Sequence, residues 1–177
     1  MTDRWPVIER EVEYENGWYR GGYDLVEQPD GSTKRYYWAA LPAAVVVVAR
    51  DAGDVIFVEQ YRPLVGATQL ELPAGIVEAG ESFEEAARRE LAEETGYRAG
   101  STSTIQSYHV ATGVLRHERA IVVASDLEPG APARDSNEFI TVTRVGVDDA
   151  IDVVRRTDAN DATLSGLLLA QEDGHLD

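Results

Sequence analysis

The chain has 177 residues, with 32 acidic side chains against 16 basic ones, a net charge of −16 and no cysteine. That length suits one domain, or a domain with a small appendage, and the lack of cysteine excludes disulfides, thiolate metal sites and a cysteine nucleophile. The acid excess opposes nucleic-acid binding, and with a polar start (MTDRWPVIER) and no apolar run long enough to span a bilayer, a soluble cytoplasmic protein without membrane partners is expected.

Residues 5 to 40 alternate strand-like segments with turn signals: Val7 to Tyr14, the Asn16-Gly17 turn, Trp18 to Glu27, Pro29-Asp30-Gly31, and Thr33 to Trp38. This pattern predicts an antiparallel meander. Its rings, Trp5, Trp18, Tyr23, Tyr36, Tyr37 and Trp38 among them, exceed what so small a sheet buries alone. They either pack on the rest of the chain or form a subunit interface or a stacking wall for a base.

Ala43 to Ala49 is a continuous apolar run and predicts a strand buried on both faces, with Asp54 to Tyr61 its neighbour across a short turn. Arg62 closes that second strand a few residues before the next loop. Its planar fork suits either a diphosphate or one of the many surface acids, and its placement favours the diphosphate.

Gly75 to Tyr97 (GIVEAGESFEEAARRELAEETGY) carries every local sign of a helix. Ser82 and Glu85 make a capping box, and Phe83, Ala86, Ala87 and Leu91 form the buried stripe before Gly96 supplies the left-handed stop. Glu90, Glu93 and Glu94 fall at spacings of three and four, so they share one face off that stripe, toward Leu72-Pro73-Ala74-Gly75. Like charges held together repel unless a cation faces them, and hard oxygen ligands suit Mg²⁺. Gly75, lacking a side chain, lets a backbone or a phosphate come close.

Beyond the helix, Ser103 to Val110 and Ala120 to Ala124 read as strands joined by a loop that holds His117 and Glu118. His117 alone is a weak candidate for catalysis. Residues 126 to 138 read as loop, Phe139 to Val145 as a last strand, and Val147 to Arg156 and Ala162 to Gln171 as amphipathic helices, with Glu172 to Asp177 fraying.

The stretch from Gly75 resembles the Nudix box, G-x5-E-x7-R-E-U-x-E-E-x-G-U with U aliphatic, through Gly75, Glu81, Arg89, Glu90, Leu91, Glu93, Glu94 and Gly96; Tyr97 departs at the last aliphatic position. The resemblance implies an α/β fold, the Nudix α/β/α sandwich with a mixed sheet, plus the N-terminal antiparallel β-meander. The domains expected are an N-terminal sheet for dimerisation (1–40) and a Nudix hydrolase domain (41–177). The meander, Gln60-Tyr61-Arg62 and Glu71-Leu72-Pro73-Ala74-Gly75 are similar to the ADP-ribose pyrophosphatase subgroup, whose members form homodimers with the adenine between aromatic rings near the subunit boundary.

By the same resemblance, Glu90, Glu93, Glu94 and the Ala74 carbonyl oxygen hold Mg²⁺, with Mn²⁺ as its substitute. Arg89 and Glu81 orient those carboxylates, Arg62 and Gly75 meet the diphosphate, and Glu138 positions or deprotonates the attacking water, with Glu118 in reserve. The implied substrate is a small nucleoside diphosphate derivative, ADP-ribose or a related nucleotide sugar. Thr112 stands where ADP-ribose-specific members carry proline, which leaves the substrate open. A GDP-sugar, a nucleoside triphosphate, a dinucleoside polyphosphate or a non-catalytic binding role are the alternatives; related isomerase chemistry needs a cysteine that this chain lacks. The acid-rich surface, with Lys34 its one lysine, resembles cytoplasmic proteins of extreme halophiles, where molar salt screens charge within about 3 Å.

Overall fold

The computed structural model describes residues 4–133 and 139–177. In chain order the elements are β1 (Val7–Glu15), β2 (Arg20–Glu27), β3 (Thr33–Ala40), β4 (Ala44–Asp51), β5 (Asp54–Arg62), β6 (Ala67–Glu71), β7 (Ala74–Ile76), α1 (Phe83–Thr95), β8 (Arg98–His109), β9 (Leu115–Arg116), β10 (Glu118–Glu128), β11 (Ile140–Gly146), α2 (Val147–Arg155) and α3 (Asp161–Glu172). Two compact units result: Met1–Ala43 with Tyr108–Glu118, and Ala44–Ser107 with Arg119–Asp177.

The first unit is a sheet of order β1-β2-β3-β9, antiparallel except where β9 joins β3 in parallel. Tyr23 and Trp38 are buried in it, whereas Tyr14, Trp18 and Tyr37 are exposed, as is every residue of the edge strand β1. Buried Asp24 gathers a fork from Arg10 (Nε and Nη2, both 3.0 Å), the Trp38 indole N–H (2.9 Å) and Arg116 Nη2 (2.6 Å). Arg10 above all, with Trp38 and Arg116 adding to it against the cost of burial, holds its carboxyl down at about 2.

In the second unit the strand order is β11-β5-β4-β10-β8, with β6 on the flank of β5 and β7 on that of β4. The apolar run of β4 explains the layering. It pairs in parallel with β10 and antiparallel with β7 and, at its end, β5, so both its edges are filled and its side chains must go up or down. Val45, Val47 and Ala49 meet Ala86, Ala87 and Leu91 of α1, while Val46 and Val48 reach Gly166 of α3 from the opposite face. Each of these valine and leucine side chains taken from water contributes about 2 kcal/mol. This is the expected α/β/α sandwich, with mixed pairing.

Helix α1 is bounded as its residues predict. Ser82 Oγ accepts from the Glu85 N–H (3.2 Å), Glu85 Oε2 accepts from the Ser82 N–H (2.8 Å), and Gly96 ends the helix at φ 82°. Tyr97 fits the last box position because its ring lies against the core while Arg144 Nη1 donates to its hydroxyl at 3.0 Å.

Three expectations need correction. Strands β7 and β9 fall in stretches read as loop, β6 in one given no element, and β8 and β10 run several residues beyond their apolar centres, because strand neighbours carry polar residues such as Arg98 and Ser101 into the ladder. The C-terminus does not fray. After α3, a left-handed turn at Gly174 (φ 76°) lets the His175 N–H reach back to the Ala170 carbonyl (2.8 Å) and folds Leu176 into the core.

Candidate functional site

The site grows from α1 and the strand that faces it. Glu81, Arg89, Glu90 and Glu93 form one network about Arg89. Its Nε and Nη2 fork Glu81 (2.8 and 2.9 Å), its Nη1 reaches Glu90 Oε1 (2.7 Å) and Glu93 Oε2 (3.2 Å), and Nη2 also reaches the Ile76 carbonyl (2.8 Å). The guanidinium and the Glu78 N–H together hold the Glu81 carboxyl down at about 2, and Glu81 in turn raises the affinity of Arg89 for its proton.

Glu94 is on the same helix but buried, at 6 % exposure. Its Oε2 accepts the Ala74 N–H at 3.1 Å and so ties the helix to the start of β7. On the other side of that strand the Val47 N–H donates to the Pro73 carbonyl at 2.8 Å. In an antiparallel ladder alternate residues point their N–H and C=O to opposite edges, so Ala74, next to Pro73, directs its carbonyl away from β4. Gly75 lines the hollow and has no room for a side chain. A Cβ there would overlap the Glu90 carboxyl group, so the missing side chain makes room for a carboxylate of the protein itself.

Ala74, Gly75, Glu90, Glu93 and Ala133 line a hollow of about 490 Å³. A hollow of about 610 Å³ by Trp5 in the first unit is larger but is lined by one carboxylate, Glu27, so the smaller one is the candidate site. Three carboxylates, Glu78, Glu90 and Glu93, and one guanidinium line it and leave an excess of negative charge, and the oxygen donors are hard, with no nitrogen or sulfur ligand among them. That set fits a divalent cation of the Mg²⁺ or Mn²⁺ kind. As they stand, no three or more His, Cys, Asp or Glu side chains among the described residues converge into an ion cage, since Glu90 and Glu93 lean on Arg89.

Arg62 pairs with a buried carboxylate, not a surface acid: Nε and Nη2 grip Glu71 at 2.8 and 2.5 Å. Glu71 is 2 % exposed, and with Glu94 it raises the Arg62 pKa. Sequence reasoning misses this role of Glu71, whose one signal is a lone charge inside the apolar stretch QLELPAGIV. Glu138 lies outside the described residues. His117 and Glu118 belong to the first unit, where His117 Nδ1 rests on the Pro42 carbonyl at 2.7 Å.

A family model for the NUDIX domain matches residues 40–165. The ADP-ribose pyrophosphatase of Bacillus subtilis (strain 168) is 35% identical over 140 residues, covering 77% of this chain and 76% of that protein. The methanol dehydrogenase activator of Bacillus methanolicus is 32% identical over 135 residues, covering 75% and 73% respectively. Among solved structures, the crystal structure of an ADP compounds hydrolase matches with a TM-score of 0.88 at 25% identity, over 98% of this chain and 96% of that one.

Proposed function

Because the chain belongs to the Nudix family and is a hydrolase of that family, we propose that it cleaves the diphosphate linkage of a nucleoside diphosphate derivative, ADP-ribose or a related nucleotide sugar, to a nucleoside monophosphate and a sugar phosphate. The observation that carries this reading is the grouping of Ala74, Glu90 and Glu93 about one hollow, with Glu94 bonded to the Ala74 N–H and Arg89 bracing Glu90 and Glu93.

Glu90, Glu93, Glu94 and Ala74 O would hold the divalent ions, Mg²⁺ by preference. When bound, such ions neutralise diphosphate oxygens and lower the pKa of water. A carboxylate has several lone pairs, so Glu90 and Glu93 can accept from Arg89 and ligate an ion together. Glu81 acts only through Arg89, whose position it fixes. Arg62 meets the diphosphate through the side of its guanidinium turned away from Glu71, and Gly75 keeps the floor of the hollow open. Glu138 takes a proton from the attacking water as a P–O bond to one phosphorus forms and the bridging P–O bond breaks. Glu138 is carried by the family resemblance, in which a glutamate from a loop well after the box serves the attacking water. The N-terminal sheet (1–40) is read as the dimerisation element, in keeping with the exposed β1 edge and exposed Trp18 and Tyr37.

The test is a panel of ADP-ribose, GDP-mannose, NADH, diadenosine polyphosphates and nucleoside triphosphates, incubated with the protein in molar KCl and Mg²⁺ and resolved by chromatography. AMP and ribose phosphate from ADP-ribose should lead. A different leading substrate would discard that specificity, and no turnover by folded, metal-bound protein would discard hydrolysis.

A further inference from the structure

Thr163 is a buried polar residue, 1 % exposed, in the first turn of α3, far in sequence from the site. Its own N–H goes to Asn160 Oδ1 at 2.8 Å, the cap of that helix. Its hydroxyl oxygen accepts the Leu72 N–H at 3.1 Å, in a buried setting. Leu72 is itself 1 % exposed, and its Cδ1 lies so close to Gly166 that a Cβ there would be 2.9 Å away.

These contacts complete a three-point clamp on Leu72-Pro73-Ala74. Thr163 holds the Leu72 N–H from α3, Val47 holds the Pro73 carbonyl from β4, and Glu94 holds the Ala74 N–H from α1. Pro73 has no N–H to offer, so Thr163 holds the one backbone donor between Glu71 and Ala74. Without that hydroxyl, the Leu72 N–H would be a buried donor with nothing to meet, a state that a short loop escapes by shifting.

We propose that Thr163 is a positioning residue for the site: through Leu72 it fixes the plane of the Ala74 carbonyl relative to Glu90 and Glu94, and so sets the affinity for the divalent ion. This rests on the metal-binding reading of Ala74, Glu90 and Glu94. The hydroxyl is required as an acceptor, so serine substitutes for threonine, and isosteric valine does not.

The test uses Mn²⁺ alone, titrated into the whole protein without substrate and followed by electron paramagnetic resonance, together with amide hydrogen exchange. Thr163→Val should weaken Mn²⁺ binding by about ten- to a hundredfold, the range seen when a residue supporting a metal ligand is lost. It should also speed exchange at Leu72 and Ala74 while the β10 amides stay protected, and Thr163→Ser should restore both. Should the valine variant not fold, Thr163→Ala, which removes the acceptor without a misplaced methyl, gives the same comparison. Glu94→Gln separates the two readings. If the wild type binds Mn²⁺ and Glu94→Gln does not, yet Thr163→Val binds it as the wild type does, the positioning role is overturned and the metal site stands. If the wild type binds no Mn²⁺, the metal site falls and the positioning role falls with it.

Discussion

The Ala74 N–H donates to Glu94 Oε2 at 3.1 Å, so one buried carboxylate serves both as a backbone anchor and as a candidate metal ligand. Replacing Glu94 by glutamine separates the two roles, because the amide oxygen can still accept from Ala74 while the charge is gone. Thermal unfolding and circular dichroism of Glu94→Gln should match the wild type, and kcat should fall by roughly a hundredfold or more, about 3 kcal/mol of transition-state stabilisation. Near-normal turnover would remove Glu94 from the chemistry.

Arg89 and Glu81 make a pH-dependent contribution whose sign follows from the direction of the shift. Glu81 titrates near 2 in the folded protein against an ordinary 4.5, so it stabilises the fold fully above 4.5, and that stability is lost as pH falls from 4.5 to about 2. Asp24, lowered from 3.8 to about 2, behaves alike in the first unit. The urea midpoint should therefore hold steady at neutral pH and drop below pH 4.5. Glu81→Gln should flatten part of that drop and Asp24→Asn another part; an unchanged acid limb in both variants would contradict the assignment.

Arg62 and Glu71 differ in exposure, with side chains 42% and 2% accessible, so the cost of separating them falls on the glutamate. Arg62→Ala leaves Glu71 as a buried charge without its partner and should destabilise the second unit by about 3 kcal/mol, along with any loss of activity. Calorimetry distinguishes this from a purely substrate-binding arginine, whose removal would raise KM and leave the melting temperature in place.

Salt should act on the whole surface. With a net charge of −16, self-repulsion is strong in dilute buffer and screened over about 3 Å at 1 M salt. The melting temperature should rise steadily with KCl up to molar concentration. A flat or falling curve would remove the halophilic reading.

How much of this was legible beforehand depended on whether the determining contacts were local. The capping box of Ser82 and Glu85 and the Gly96 stop follow from spacing within one helix, and both were readable, whereas Glu94, expected off the buried stripe with Glu90 and Glu93, is buried beside Leu91. The two-sided burial of Ala43 to Ala49 was readable too, since an unbroken apolar run has no face to leave in water. The grip of Glu71 on Arg62, the occupation of the Gly75 space by Glu90 and the reach of Thr163 to Leu72 were not, because each joins residues whose approach depends on strand register and helix docking. The short strands β6 and β7 escaped for the same reason: their pairing with β5 and β4, more than their own composition, makes them strands.

The span between Thr163 and Leu72, 91 residues along the chain, also sets an order of assembly. The box and its facing loop leave the ribosome together and contain their own helix signals, yet the last point of the clamp, on α3, follows well after the box in synthesis. A nascent chain halted before α3 would carry every candidate ligand from Ala74 to Glu94 and still lack the contact that closes Leu72. On the role proposed for Thr163, capture of a divalent ion would wait for the docking of α3.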